Sequence, residues 1–138
     1  MFIHKNRITV STDGQGLYKI TDLVQKKIEE VKIPNGICYL FVPHTSASII
    51  IQELDPAAKN DMEYFLDKLV PENDDKYRHR MEGPDDPSSH VKGSLLGNSQ
   101  IVFIENNKLL MGSWQEIYLW EHRRDKRNRV IDIRIISE

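Results

Sequence analysis

The chain has one cysteine, Cys38, among 138 residues, so no disulfide framework can form within it. It also lacks any apolar stretch long enough to span a bilayer, and its first residues, Met1-Phe2-Ile3-His4-Lys5-Asn6-Arg7, lack the apolar run of a signal peptide. These absences lead us to expect a soluble, cytoplasmic protein with no membrane partner. A strong charge of either sign is missing too. Nineteen basic against 21 acidic residues give a net charge of −2 and a pI near 6.2, which offers nucleic acid no general attraction. No repeat, low-complexity tract or linker interrupts the sequence, so one domain over residues 1–138 is expected. A chain of this size buries roughly two-thirds of its unfolded surface and needs no metal or disulfide to fold.

What is present reads mostly as strands. Residues 2–10 form a candidate strand that turns at Asp13-Gly14-Gln15-Gly16. From Ile20 the apolar positions Leu23, Val24, Ile28 and Val31 keep helical spacing, with Thr21 or Asp22 as cap and Pro34-Asn35-Gly36 as stop. Residues 37–43 are apolar on both alternating faces, so this strand should be covered on both sides. Cys38 sits in this run and reads as an inert core thiol. A strand at about 45–52 follows, with Thr45, Ala47, Ile49 and Ile51 on one face and His44, Ser46 and Ser48 on the other. Asp55-Pro56 reads as a helix start, and Met62, Phe65, Leu66 and Leu69 as the buried stripe behind it. After the polar segment 71–90, a short helix is expected from Ser88 or Ser89 to Leu96, stopped by Gly97. Strands at Ile101–Ile104 and Lys108–Met111 flank Asn106-Asn107 as a tight hairpin, and Gln115–Glu121 and Arg129–Ile136 close the chain. The grouping of strands early and late predicts an α+β, β-rich domain of sandwich-like sheets with two to three helices.

Four polar groups lack an obvious folding reason. His44, Ser46 and Ser48 offer an imidazole and two hydroxyls between buried strands, suiting metal or phosphate binding or a Ser–His pair. No nucleophile elbow accompanies them. Asp55 is explained as a cap, whereas Glu53 follows three isoleucines, where a buried carboxylate needs a partner or a cation. His79, Glu82, Asp85, Asp86 and His90 carry imidazole and carboxylate donors of the kind Zn²⁺ takes, without a recognised zinc motif. Asp86 and His90 could share a helical face if the helix begins early enough. The carboxylates at 82, 85 and 86 need a counter-charge, from Lys92, Arg123 or a bound cation. Gly112-Ser113-Trp114-Gln115 forms the fourth group, with Trp114 readable as core. Beyond it Arg123, Arg124, Lys126, Arg127 and Arg129 read as a solvated turn rather than a nucleic-acid footprint.

Taken in order, these segments resemble the YjbQ-like family, the "secondary thiamine-phosphate synthase" family. The resemblance rests on His44-Thr45-Ser46-Ala47-Ser48, Glu53-Leu54-Asp55-Pro56, Tyr77-Arg78-His79, Glu82-Gly83-Pro84-Asp85-Asp86, His90-Val91-Lys92-Gly93-Ser94-Leu95-Leu96-Gly97, Gly112-Ser113-Trp114-Gln115 and Glu121-His122-Arg123. It runs from about residue 40 to the C-terminus. Ser113 stands where the family has Thr, Asn107 where it has Gly, and Glu116 where Gly often follows Gln115. The resemblance implies a homotrimer with polar pockets near subunit contacts. It also implies the joining of a pyrimidine methyl diphosphate to a thiazole phosphate, with loss of pyrophosphate. That chemistry suggests His44, Glu53, Asp86, Trp114 and Gln115 as catalytic, Ser46, Lys92 and Arg123 as holding a small phosphorylated molecule, and Mg²⁺ or Zn²⁺ as cofactor. His44, His79 and His90, with or without Asp86, are the candidate metal ligands. A metal-dependent hydrolase of the zinc type and a trimeric metal- or ligand-binding module without turnover are the competing readings.

Overall fold

A computed structural model describes all 138 residues. In chain order the elements are β1 (Phe2–Asp13), β2 (Gly16–Lys19), α1 (Thr21–Val31), β3 (Asn35–Phe41), β4 (Ala47–Glu53), α2 (Pro56–Leu69), α3 (Asp86–Leu96), β5 (Ser99–Glu105), β6 (Lys108–Leu109), β7 (Gln115–Glu121) and β8 (Lys126–Ser137). Eight strands and three helices make the α+β, β-rich class that the spacing predicts. The strands form a five-stranded sheet, ordered β1-β8-β3-β5-β6, and a three-stranded sheet, ordered β2-β7-β4. Every strand pairing is antiparallel.

Alternation explains the core. Ile131, Ile133 and Ile135 on β8 are buried, as are Cys38 and Leu40 on β3 and Val102 and Ile104 on β5. They meet Ile49, Ile117 and Leu119 from the smaller sheet and Val24 and Ile28 from α1 in one cluster. Burial pushes the Cys38 thiol up to about 12, so it is inert, as the apolar run implies. A second cluster, Leu17, Leu66, Val70, Tyr118 and Trp120, lies on the other face of the smaller sheet.

Local signals hold where backbone conformation dominates. Asn106 and Asn107 both take positive φ, at 53° and 63°, which is what a two-residue hairpin turn asks of them. Asp55 caps α2 by accepting from the Ala58 N–H, and Pro56 opens the helix. Burial departs further from the pattern. Within the expected stripe of α2 only Leu66 is buried, packed in the cluster with Leu17, Tyr118 and Trp120, while Met62, Phe65 and Leu69 are exposed. Ile37, Tyr39 and Phe41 on β3 are likewise exposed, so within one chain this strand is covered on one side. Neither Thr21 nor Asp22 caps α1. Ile20 occupies the cap position without a side-chain bond, and the Thr21 hydroxyl accepts from the Ile117 N–H instead. Finally, α3 begins at Asp86, not at Ser88 or Ser89.

Candidate functional site

The early start of α3 is what builds the site. Asp86 and His90 stand four residues apart on one helical face, and Asp86 is only 1% exposed. His90 Nδ1 lies 3.0 Å from the Thr45 carbonyl oxygen, on the segment joining β3 to β4. Gly93, further along α3, allows this approach, since a Cβ there would stand 2.7 Å from the same carbonyl oxygen. His90 Nε2 then sits 3.0 Å from Asp86 Oδ1. His79, carried by the polar loop, brings its Nε2 to 3.4 Å from Asp86 Oδ2. The two imidazole rings meet edge to face with centroids 4.9 Å apart. One ligand atom from each of His79, Asp86 and His90 falls within 4.8 Å of the others.

The acids of this loop find their counter-charge in Arg123. Its Nε donates to Asp85 Oδ2 at 3.0 Å, Nη1 to Glu82 Oε2 at 3.0 Å and Asp86 Oδ1 at 3.3 Å, and Nη2 to the Glu82 carbonyl at 2.7 Å. Asp85 holds the cap position of α3, but its side chain does not cap the helix. It is turned to Arg123 and to the Arg124 N–H. Desolvation pushes the Asp86 pKa up, but the Glu82 N–H and the nearby His79 and Arg123 outweigh it and hold the carboxyl below its usual range. Asp86 is therefore an anion at neutral pH.

Behind this loop lies a buried ionic layer. Arg129 Nε donates to Glu121 Oε1 at 2.7 Å, and its Nη2 to Glu121 Oε2, to the Ser46 hydroxyl at 2.8 Å and to the Ser46 carbonyl at 3.1 Å. The Thr12 hydroxyl completes it, donating to Glu121 Oε1 at 2.6 Å. A Ser–His pair does exist, but it joins Ser48 Oγ to His122 Nε2 at 2.9 Å, and both residues are fully buried. No substrate can reach it there.

The sequence-predicted residues divide accordingly. His79, Asp86 and His90 converge. His44 lies beside them but does not join the ligand set, because its Nε2 accepts the Val130 N–H at 2.9 Å. A neutral imidazole in that bond carries its proton on Nδ1 and has no lone pair left for an ion. Burial first, and Arg129 second, lower its pKa and keep it neutral. Ser46 lines a cleft beside the triad, but its hydroxyl is taken up by Arg129. Lys92 is buried against Asp67 at 2.6 Å, and Arg123 is taken up by the three acids, so neither is a free phosphate clamp. Glu53, Trp114 and Gln115 are exposed, Trp114 by 69%, correcting the readings of Glu53 as a buried acid and Trp114 as core. Glu53 pairs with Gln115 at one end of β4, whereas Ala47 pairs with Glu121 at the other. Six residues of strand, roughly 20 Å, lie between the two ends. The basic run is not a solvated turn throughout, since Arg123 and Arg129 are buried. Sequence reasoning missed Glu121, Arg129 and His122 as a buried polar layer. The available signal was a glutamate, a histidine and an arginine inside strand-forming sequence.

Two clefts open on the triad and share His44, Thr45, His79 and His90 along their common wall. One, of about 790 Å³, extends past Tyr77, Ser94 and Asn98. The other, of about 550 Å³, extends past Arg123, Arg127 and Arg129.

Residues 6–138 match the family model described as UPF0047 protein YjbQ-like. The chain is 36% identical over 136 residues to UPF0047 protein sll1880 of Synechocystis sp., covering 98% of this chain and 92% of that one. It is 36% identical to UPF0047 protein YjbQ of Escherichia coli O157:H7 over 87% of this chain and 88% of that one. Among solved structures, a protein of Sulfolobus solfataricus P2 described as YbjQ-like and of unknown function superposes with a TM-score of 0.91 at 28% identity, covering 99% of both chains. An uncharacterized YjbQ/UPF0047 protein of Clostridium acetobutylicum gives 0.82 at 39% identity, covering 96% of this chain and 99% of that one. These findings overturn the thiamine-phosphate synthase reading: the relatives carry family designations without that activity, and thiamine-phosphate synthase is a different enzyme family. The geometry agrees, because the residues assigned to clamp diphosphate are engaged within the fold and Trp114 lies far from the triad. With the match running from residue 6 to residue 138, the chain belongs to the UPF0047, YjbQ-like family.

Proposed function

We propose that the protein binds a divalent transition-metal ion, of the Zn²⁺ kind, on His79, Asp86 and His90. One observation carries this reading. The Thr45 carbonyl can only accept, so His90 Nδ1 bears the ring proton in the 3.0 Å contact. In the neutral ring Nε2 is then a bare lone pair, yet it faces a carboxylate oxygen at 3.0 Å. Two acceptors so placed repel unless a second ring proton or a metal ion stands between them. A histidine held by its far N–H on a backbone carbonyl, with its other nitrogen aimed at a carboxylate, is the arrangement in which imidazole ligates metal. Two imidazoles and one carboxylate suit Zn²⁺ better than Mg²⁺, which takes oxygen donors. Three protein ligands leave a coordination position open to the clefts, as in a site that binds water or a small ligand rather than a purely structural one. Arg123 holds Asp86 from behind, and Pro87 stiffens the first turn.

The protein purified and dialysed against metal-free buffer, then titrated with Zn²⁺ in a calorimeter, should take up one ion per chain. His90→Ala should weaken that uptake by more than about a hundredfold, since removing even an outer-shell partner of a metal ligand typically loses 10- to 100-fold. No saturable uptake by the unaltered protein, or equal uptake by the variant, would overturn the proposal.

A second copy of the chain is the proposed partner. On the outer face of the five-stranded sheet the register sets Ile3, Ile136, Ile37 and Phe103 in one row and Tyr39 and Ile101 in the next. Ile3, Ile37, Tyr39, Phe41, Ile101 and Phe103 are all exposed, and a contiguous apolar patch of this kind favours burial against another surface. Together with the family resemblance, this supports a homotrimer. Light scattering at micromolar concentration should return three times the 16.1 kDa chain mass, and a monomer mass would refute it.

A further inference from the structure

The smaller cleft has a chemistry that the metal triad does not explain. Arg127 and Arg129 reach its wall from β8, and Asp86 and His90 line the same cleft. Each guanidinium is held from behind by a carboxylate. Arg129 uses Nε and Nη2 on Glu121 and Ser46, and Arg127 uses Nε on Asp125 at 3.0 Å. Nη1 of each has no protein acceptor. The arrangement commits one edge of each fork to fixing its position and leaves further donors for something else. His44 adds a third donor. Its Nε2 accepts the Val130 N–H, so the ring proton is on Nδ1, which has no partner in the fold. His44 lines both clefts, together with His79 and His90.

We infer that this cleft is a subsite for a small oxyanion, a phosphate or carboxylate group carried by a polar ligand, gripped by Arg127, Arg129 and His44 and bridging to the metal's open position. The inference rests on the metal reading above, which supplies the other end of the bridge. Charge favours it in that state. Glu82, Asp85 and Asp86 share Arg123, with Arg127 reaching only Glu82 at 3.7 Å, so the acids outnumber the arginines on the triad side until a divalent cation offsets them. Once they are offset, the free donors in the cleft belong to cations and a neutral N–H. Donors fixed before the ligand arrives need little further ordering to bind it, and guanidinium–oxyanion bonds are charge-assisted. The 550 Å³ volume admits a small molecule, and the larger cleft across His44 and Thr45 can receive the rest of it.

Arg127→Gln is the discriminating variant, because Arg127 is partly exposed and holds only Asp125 and, at 3.7 Å, Glu82. Arg129 is unsuitable, since removing it would strand buried Glu121. Inorganic phosphate and, separately, acetate are titrated into Zn²⁺-loaded and metal-free protein of both forms. The loaded parent protein should bind at least one of the two anions. Arg127→Gln should bind it roughly 10- to 100-fold more weakly, the loss expected for one charge-assisted bond, at unchanged Zn²⁺ stoichiometry. Equal affinity in parent and variant, or no binding of either anion by loaded protein, overturns the inference while leaving the metal reading intact. If the protein takes up no Zn²⁺, the metal reading fails and the metal-free titrations decide. Binding there that weakens in Arg127→Gln upholds the oxyanion subsite, and its absence overturns that as well.

Discussion

Arg123→Met should lower the stability of the metal-free protein by about 3–5 kcal/mol, the usual loss when one partner of a buried ionic group is removed. Arg123 is 3% exposed and is the cation shared by Asp85 and Asp86, which are 6% and 1% exposed. Methionine fills much of the same volume but takes the shared guanidinium from two buried carboxylates and leaves the Glu82 carbonyl without its donor. The loop bearing His79 and Glu82 should loosen with them. A divalent ion on the triad would restore part of the missing charge at Asp86, so Zn²⁺ should raise the melting temperature of the variant more than that of the parent. Urea titrations and thermal melts, each with and without Zn²⁺, measure the two quantities. A loss below about 1 kcal/mol, the range of an exposed ion pair, would show that the acids are solvated when the arginine leaves and that Arg123 does not organise the site.

Acid should destabilise the fold through His122. Burial first, then Lys92 and Arg129, lower its pKa from 6.5 to about 3. The unfolded chain therefore takes up a proton near pH 6.5 that the folded chain refuses until about pH 3. Stability is complete above the unfolded value and falls as pH drops through that window, by about 1.4 kcal/mol per pH unit at most. The sum over the window is on the order of 5 kcal/mol. His44, whose pKa is also lowered, acts in the same direction. Asp86, also lowered from 3.8, loses its contribution only at more acid pH. Unfolding free energies from pH 7.5 to 4 should thus slope steeply for the parent and clearly less for His122→Gln, which retains a polar group for Ser48. An identical slope in the two proteins would show that His122 is not held neutral. The variant also tests the Nδ1 of His122, a buried nitrogen with no partner in the fold.

Elements governed by short-range rules are legible in residue order alone. The Asn106-Asn107 turn, the Asp55 cap and the alternating Ile131, Ile133 and Ile135 depend on backbone conformation or on side-chain period. The donor types of the site are legible too, since imidazoles and carboxylates crowd residues 79–90. Coverage is not. Phe65 and Tyr39 satisfy the same hydrophobic pattern as buried residues, and exposure depends on which surface packs opposite, a matter of distant chain.

The same limit separates the two kinds of knowledge at the site. Residue order is enough to establish the α+β class, the family resemblance and the presence of His79, Asp86 and His90 as candidate ligands, because these follow from local pattern and chemical type. Which histidines converge is settled by contacts across the fold. The Thr45 carbonyl is 45 residues from His90 and the Val130 N–H is 86 residues from His44. The first turns an imidazole toward the triad, and the second turns another away from it. Arg123 and Arg129 sit six residues apart in one basic run, yet one neutralises the loop acids and the other the buried Glu121. Long-range packing assigned them those partners, since the energy of a buried charge depends on what surrounds it rather than on its neighbours in sequence.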